Sequence, residues 1–235
     1  MATILLGSTG EVGRQVLRAS IQSSLTPIIC PVRQGKALHV SDDKFKSTSI
    51  DFDSIPQAGL DSHSAANVII TLGTTRAKAG SAANFERIDR HYVLESAKAA
   101  KTASAERVIY CSSAGSSSSS PFLYPKSKGL TEEGLAELGY TETIIFRPGY
   151  LQIDGGRPES RILEKAFGPF CHYVLARFSS GVEINTKLLG NAMIKAAEMG
   201  ADKLVKDGYA TKQALKNGKK LTIVNNEQAT RLGST

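Results

Sequence analysis

The chain is poor in cysteine. Its three thiols, Cys30, Cys111 and Cys171, stand far apart and form no C-x-x-C pair. That excludes a disulfide scaffold. Two of the three sit in apolar, strand-like runs, which reads as buried free thiols in a reducing, intracellular compartment. Long hydrophobic runs are missing as well. No apolar stretch approaches the roughly 20 residues of a membrane helix, and the N-terminal residues lack the pattern of a signal peptide. No Cys, His or carboxylate cluster of metal-ligand spacing lies near His91, so no metal is expected and this histidine reads as structural or exposed. The 29 basic residues outnumber the 22 acidic ones, for a net charge of +7, but they are scattered and no aromatic residues interleave with them. This argues against nucleic acid and for a polyanionic small molecule or an acidic surface. At 235 residues the chain is long enough to bury the core of one α/β domain without disulfides or metals.

What is present begins at residue 3. The apolar run Thr3-Ile4-Leu5-Leu6 feeds straight into Gly7-Ser8-Thr9-Gly10-Glu11-Val12-Gly13. A G-x-x-G-x-x-G pattern between a strand and a helix is what a dinucleotide-binding turn requires. Gly7 permits the sharp exit from the strand, Gly10 lets the backbone approach a pyrophosphate, and Gly13 lets the helix pack against the sheet. The helix then presents its free N–H groups and the positive end of its dipole to that anion. Residues 7–13 are therefore the first candidate cofactor contacts; the plainer reading is a tight turn that binds nothing. A cleavable presequence would have to remove part of this turn, so none is expected.

Strands and helices alternate from there. Residues 11–24 carry Val12, Val16, Leu17 and Ile21 at helical spacing, and residues 27–32 read as a second strand whose two prolines suggest irregular ends. Residues 37–48 are polar and read as a loop or short helix, 49–52 as the end of a third strand, and 67–72 as a fourth. A long helix is expected over 82–101 and a fifth strand over 107–111, followed by a flexible serine loop at 116–120. A helix over 122–138 leads to a sixth strand at 143–147. Helices near 162–167 and 186–200 and a last strand at 220–224 complete the chain, and no internal repeat is evident. The alternation predicts a Rossmann-type, doubly wound parallel sheet with helices on both faces. It is read as one domain of residues 1–235, with about 150–235 contributing the substrate side.

The ends of these strands hold the chemistry. The second strand finishes at Arg33, within Val32-Arg33-Gln34-Gly35-Lys36, which has two cations and no acid. An Asp or Glu there usually holds an adenosine 2′-hydroxyl, whereas a guanidinium suits a 2′-phosphate. NADP(H) is thus expected over NAD(H), the other reading being a solvated loop arginine. Leu72, Gly73 and Thr74, at the C-terminal edge of the fourth strand, face the ligand crevice of such a sheet. Asp51 and Phe52 have two readings, contact with an adenine or, for Asp51, a cap on the following turn.

The most informative constellation is Ser113 with Tyr124 and Lys128. Four residues apart on a helix, Tyr124 and Lys128 share a face. A tyrosine, of pKa about 10 when free, is a poor base at neutral pH, and a neighbouring ammonium stabilises its phenolate. Ser113, at the mouth of the fifth strand, can hydrogen-bond a carbonyl or alcohol; Ser112 lies near the expected place as well. Pro125 removes one helical N–H, so the helix is either kinked there or only just beginning.

With these motifs the chain resembles an atypical or extended short-chain dehydrogenase/reductase. More narrowly, residues 72–80 (Leu-Gly-Thr-Thr-Arg-Ala-Lys-Ala-Gly), Ile88-Asp89, Tyr124-Pro125-Lys126-Ser127-Lys128-Gly129 and Phe146-Arg147-Pro148-Gly149 are similar to the Tat-interacting oxidoreductase family. They also resemble its fungal relatives, peripheral proteins of the mitochondrial outer membrane. The resemblance implies NADPH binding, with Ser113 orienting the substrate and Tyr124 as acid/base. Lys128 would be its partner and would also hold the nicotinamide ribose, and Pro148 and Gly149 would border the nicotinamide. It implies the cytosolic face of the mitochondrial outer membrane or the cytoplasm as the location. The net charge favours an anionic surface, although no amphipathic anchor stands out. Two functions compete: an oxidoreductase acting on a small carbonyl or alcohol, and an NADP(H)-binding regulatory scaffold that works through a protein partner. A sugar-nucleotide epimerase ranks last, because little chain remains after residue 150 to hold a bulky substrate. A homodimer would pair through the helices of 82–101 and 122–138. Arg157 and Arg161 either cap the substrate side or belong to a solvated loop.

Overall fold

The computed structural model describes residues 2–38, 42–55, 59–63, 65–101, 105–153 and 183–235. Its centre is an eight-stranded sheet of order β3-β2-β1-β4-β5-β6-β10-β9. These strands are β1 (Thr3–Leu6), β2 (Ile28–Arg33), β3 (Phe45–Ile50), β4 (Asn67–Ile70), β5 (Arg107–Cys111), β6 (Glu142–Arg147), β9 (Thr211–Ala214) and β10 (Lys220–Asn225). Every neighbouring pair is parallel except β10 with β9. β1 and β4 are buried along their whole length, as strands covered on both faces must be. The strand order reverses between β1 and β4, and their C-terminal edge is where such sheets open a crevice.

Side chains alternate between two cores. Leu5, Ile69, Ile109 and Phe146 point to the face covered by α1 (Glu11–Ser20) and by the C-terminal helices numbered α6 (Thr186–Lys206) and α7 (Asn226–Ser234). Ile4, Leu6, Val68, Ile70, Val108 and Tyr110 point to the other face, where Val93, Ala97 and Leu135 pack on them. That face is covered by α4 (Tyr92–Ala100) and α5 (Leu123–Glu137). The architecture is the doubly wound α/β sheet that the alternation predicts. Among the described residues no helix is long and apolar enough to cross a membrane.

Several elements differ from expectation. β3 starts at Phe45, inside the stretch read as a loop or short helix, because an edge strand needs only backbone pairing and leaves its polar side chains in solvent. Pro31 sits within β2, and the β1–β2 ladder pairs Thr3 with Ile28 and Ile4 with Ile29 and stops ahead of the proline, which has no N–H to donate. The helix expected over 82–101 is broken. Two short helices, α2 (Arg76–Ala79) and α3 (Ala82–Glu86), lead into a π-helical turn, Arg87–His91, before α4. α6 runs past residue 200 through a kink at Gly200, whose φ is +77°. The polar strand β9, helix α7 and a two-stranded parallel sheet of β7 (Tyr150–Gln152) and β8 (Glu183–Asn185) are additional.

The serine loop is pinned, not free. Ser117 N–H donates to the Pro125 carbonyl, Ser118 donates to Glu133, and a Cβ on Gly129 would stand 2.2 Å from Ser118 N. Cys30 is buried, and burial pushes its thiol up to about 12 against a smaller downward pull from Ser8. Cys171, Arg157, Arg161 and the helix expected near 162–167 lie outside the described residues.

Candidate active site at the C-terminal edge of the sheet

The glycine turn is built so tightly that side chains are excluded. Gly7 has φ +87°, and a Cβ there would stand 2.6 Å from Leu72 N. A Cβ on Gly13 would stand 2.1 Å from the Gly7 carbonyl oxygen. Gly13→Ala is expected to cost about 1–3 kcal/mol, read from the denaturation midpoint, because the backbone must shift to admit the methyl group. Thr71 ties the turn to β4 by donating from Oγ1 to the carbonyls of Leu6 (3.1 Å) and Gly7 (3.2 Å).

Helices α2, α3, α6 and α7 are each capped by a side chain, from Thr75, Ser81, Asn185 and Asn225. Among the described residues α1 (N-cap Gly10), like α4 and α5, has no capping side chain, and Glu11 in its first turn turns aside to pair with Arg14. No side chain caps the first N–H groups of α1, which follow the glycine turn, the arrangement a pyrophosphate site needs. Ser8 and Val12 are buried under the turn, while Thr9 is half-buried and Gly10 exposed. A dinucleotide phosphate fits these residues. Arg33 ends β2 exposed at the same edge, with Lys36 N–H closing a turn on its carbonyl. Phe52 is buried against Tyr92, ring centroids 5.5 Å apart, and Asp51 accepts from the N–H of Asp53, so of its two readings the structure shows the turn cap.

α5 brings the second half of the site. Its first residue is Leu123, which places Pro125 in the first turn, where a helix makes no use of the missing N–H. The helix therefore begins at this point and is not kinked. Tyr124 packs against Phe85 of α3 at 5.9 Å between centroids. One turn on, Lys128 is buried and its Nζ donates to Tyr110 Oη at 2.8 Å. The same Nζ lies 5.9 Å from the Tyr124 ring centroid and 3.0 Å from Oδ1 of Asp89. Asp89 belongs to the π-helical turn and is fully buried; among the described residues neither of its carboxylate oxygens has a hydrogen-bond partner, and the Lys128 ammonium carries its compensation.

The two serines separate. Ser112 is buried and donates to Glu132, which in turn holds Arg147, and Arg147 reaches Gln213 of β9. Ser113 faces Tyr124, and its hydrogen bond helps to stabilise the phenolate. Pro148 is tied to this loop by the Ala114 N–H at 2.7 Å, and Gly149 N–H donates to Asn226.

Burial pushes the Tyr124 hydroxyl up, Lys128 pulls it down, Asp89 pushes it up again, and the result is a phenol held above its ordinary range. For Lys128, burial favours the neutral amine, but Asp89, Tyr110 and Tyr124 together outweigh it and hold the ammonium well above its usual pKa. The glycine turn and the tyrosine–lysine pair are contiguous. Gly7 abuts Leu72, and a Cβ on Gly73 would stand 3.0 Å from Asp89 Oδ1 and 3.4 Å from Lys128 Nζ. Asp89 and Tyr110 were not among the residues that the sequence singled out for the site.

No family model matches the chain. Protein FMP52, mitochondrial, of Candida albicans is 39% identical over 164 residues, covering 68% of this chain and 70% of that protein. Protein HTATIP2 of Rattus norvegicus is 32% identical over 174 residues, 71% of this chain and 70% of that protein. The chain belongs to the FMP52/HTATIP2 family. This FMP52/HTATIP2 member shares its doubly wound α/β fold with solved structures. It is similar to the oxidoreductase YlbE of Lactococcus lactis, with TM-score 0.60, 16% identity and 85% of each chain covered. It is also similar to MoeE5 in complex with UDP-glucuronic acid and NAD, with TM-score 0.64, 14% identity, and 85% and 73% of the two chains covered.

Proposed function

We propose that this protein is an NADP(H)-dependent oxidoreductase acting on a small carbonyl compound or alcohol. One observation carries the reading: the glycine-turn helix and a pair of half-buried Tyr124 and buried Lys128 share one continuous edge, joined through Leu72 and Gly73. The backbone of Gly7 to Gly13 would hold the pyrophosphate, Arg33 the 2′-phosphate, and Lys128 the ribose, while Leu72, Gly73, Thr74, Pro148 and Gly149 would flank the nicotinamide. A bound nicotinamide supplies or accepts hydride. Ser113 would orient the substrate oxygen and Tyr124 would exchange its proton.

Titration of the purified protein with NADPH and NADH, followed by nucleotide fluorescence, tests this. NADPH is expected to bind the more tightly, and Arg33→Ala to weaken NADPH about tenfold or more while leaving NADH unchanged, as loss of a charge-assisted contact requires. Binding of neither nucleotide would sink the enzyme reading.

We place the protein at the mitochondrion, as a peripheral protein on the cytosolic face of the outer membrane. The mitochondrial names of several relatives and the net charge of +7 support this placement. Fractionation that recovers the protein only in the cytosol would remove it.

A further inference from the structure

We infer that Asp89 is a built-in counter-charge that cancels Lys128, so that the site keeps Tyr124 as a phenol and is set for carbonyl reduction, not alcohol oxidation. The functional half of this inference rests on the oxidoreductase reading above; the charge arrangement does not.

The geometry is specific. The π-helical turn Arg87–His91 carries Asp89 to the sheet-facing side of the helix, and π-turns of this kind recur at functional sites. The Asp89 and Lys128 side chains are 0% and 5% exposed and stand 3.0 Å apart, so solvent does little to screen the pair. Gly73 has no Cβ, and one would press on both partners. The titratable groups that act on Lys128 are Asp89 from the π-turn, Tyr110 and Cys111 from β5, and Tyr124 on α5 itself. Tyr110 and Cys111 are pushed up by burial and stay neutral, which leaves one negative charge against one positive charge. A lone ammonium would draw Tyr124 toward phenolate. An ammonium already matched by a carboxylate has little field left to do so.

In the reductive direction the phenol gives its proton to the substrate carbonyl oxygen as hydride from a reduced nicotinamide dinucleotide reaches the carbonyl carbon. The products are an alcohol and the oxidised dinucleotide, and water reprotonates the phenolate. The reverse reaction needs the phenolate first, so it should emerge only at alkaline pH.

The test is a pH titration of ring-labelled tyrosine, 13C at Cζ, followed by NMR on the protein without nucleotide. Tyr124→Phe identifies the resonance. In wild type, Tyr124 is expected to show no titration below about pH 10, the ordinary tyrosine value. In Asp89→Asn, which keeps the size of the side chain and removes its charge, the step should fall by about 1 unit or more. A wild-type step near neutrality would overturn the inference, even if the variant failed to fold. An unchanged or higher step in a folded Asp89→Asn would overturn it as well. The nucleotide titration is read separately: a high Tyr124 step without NADPH binding would leave the counter-charge standing and remove the oxidoreductase reading.

Discussion

Lys128→Met should lower stability by about 3–5 kcal/mol, among the largest losses expected for one substitution outside the apolar core. The methionine fills nearly the same space, so the loss is one of charge and not of packing. Asp89 is fully buried, neither of its oxygens accepts a hydrogen bond among the described residues, and its ion-pair partner is the Lys128 ammonium at 3.0 Å. Removing that ammonium leaves a buried carboxylate with nothing to offset its desolvation. Tyr110 loses the donor at its hydroxyl in the same step. For a chain of this size the melting temperature should drop by about 10 °C. The double variant Asp89→Leu with Lys128→Met checks the cause. If the penalty is an uncompensated charge, the double variant recovers most of the loss, because replacing a whole buried ion pair with apolar side chains is often neutral or stabilising. Additive losses in the cycle would show that the two side chains contribute through packing instead.

The Asp89–Lys128 pair also marks where reading the sequence stops. The glycine turn was legible because its residues must be glycine: a side chain at Gly7 or Gly13 collides with backbone whatever the rest of the chain does. The parallel sheet was legible because central strands covered on both faces carry unbroken apolar runs, residues 68–70 within Asn67–Ile70 and 144–146 within Glu142–Arg147. The edges were not. β3 and β9 are polar because their outer sides meet solvent, and they are strands only through the neighbours that pair with them. Helix α7 did leave a signal, since Asn225 and Gln228 form a capping box at the spacing that motif demands. Within the site, Tyr124 and Lys128 were visible because they lie one helical turn apart. Asp89 comes from a different helix and meets Lys128 only through the tertiary fold. Its clue was local: Phe85, Asp89, Val93 and Ala97 recur at steps of four, which sets a carboxylate among residues that are all buried. A charge at such a position needs a partner. The choice between Ser112 and Ser113 had no such clue. Glu132 and Arg147, on separate elements, draw Ser112 into their own network and leave Ser113 facing Tyr124.

Tyr124→Phe carries the functional reading further than any other single change. Turnover of a carbonyl substrate should fall by about 10²–10⁴-fold, the usual worth of a positioned acid or base, while NADPH affinity and folding stay near wild type. Three features make the substitution clean. The ring keeps its packing against Phe85. Lys128 keeps Asp89 and Tyr110 as partners, so no buried charge is stranded. The hydroxyl removed is the one that Ser113 faces, on a half-buried side chain. Ser113→Ala should cost less, because it removes an orienting hydrogen bond and leaves the proton donor in place. The split between kcat and nucleotide affinity decides the outcome. A loss of turnover with intact NADPH binding assigns the proton step to Tyr124. Turnover that survives in Tyr124→Phe would move that step to another group. A wild-type protein that binds NADPH but reduces no member of a broad carbonyl panel would instead favour the scaffold, in which the nucleotide orders the C-terminal edge of the sheet for a protein partner. In that case Tyr124→Phe would leave the cellular role unchanged, and Arg33→Ala, through the loss of nucleotide, would not.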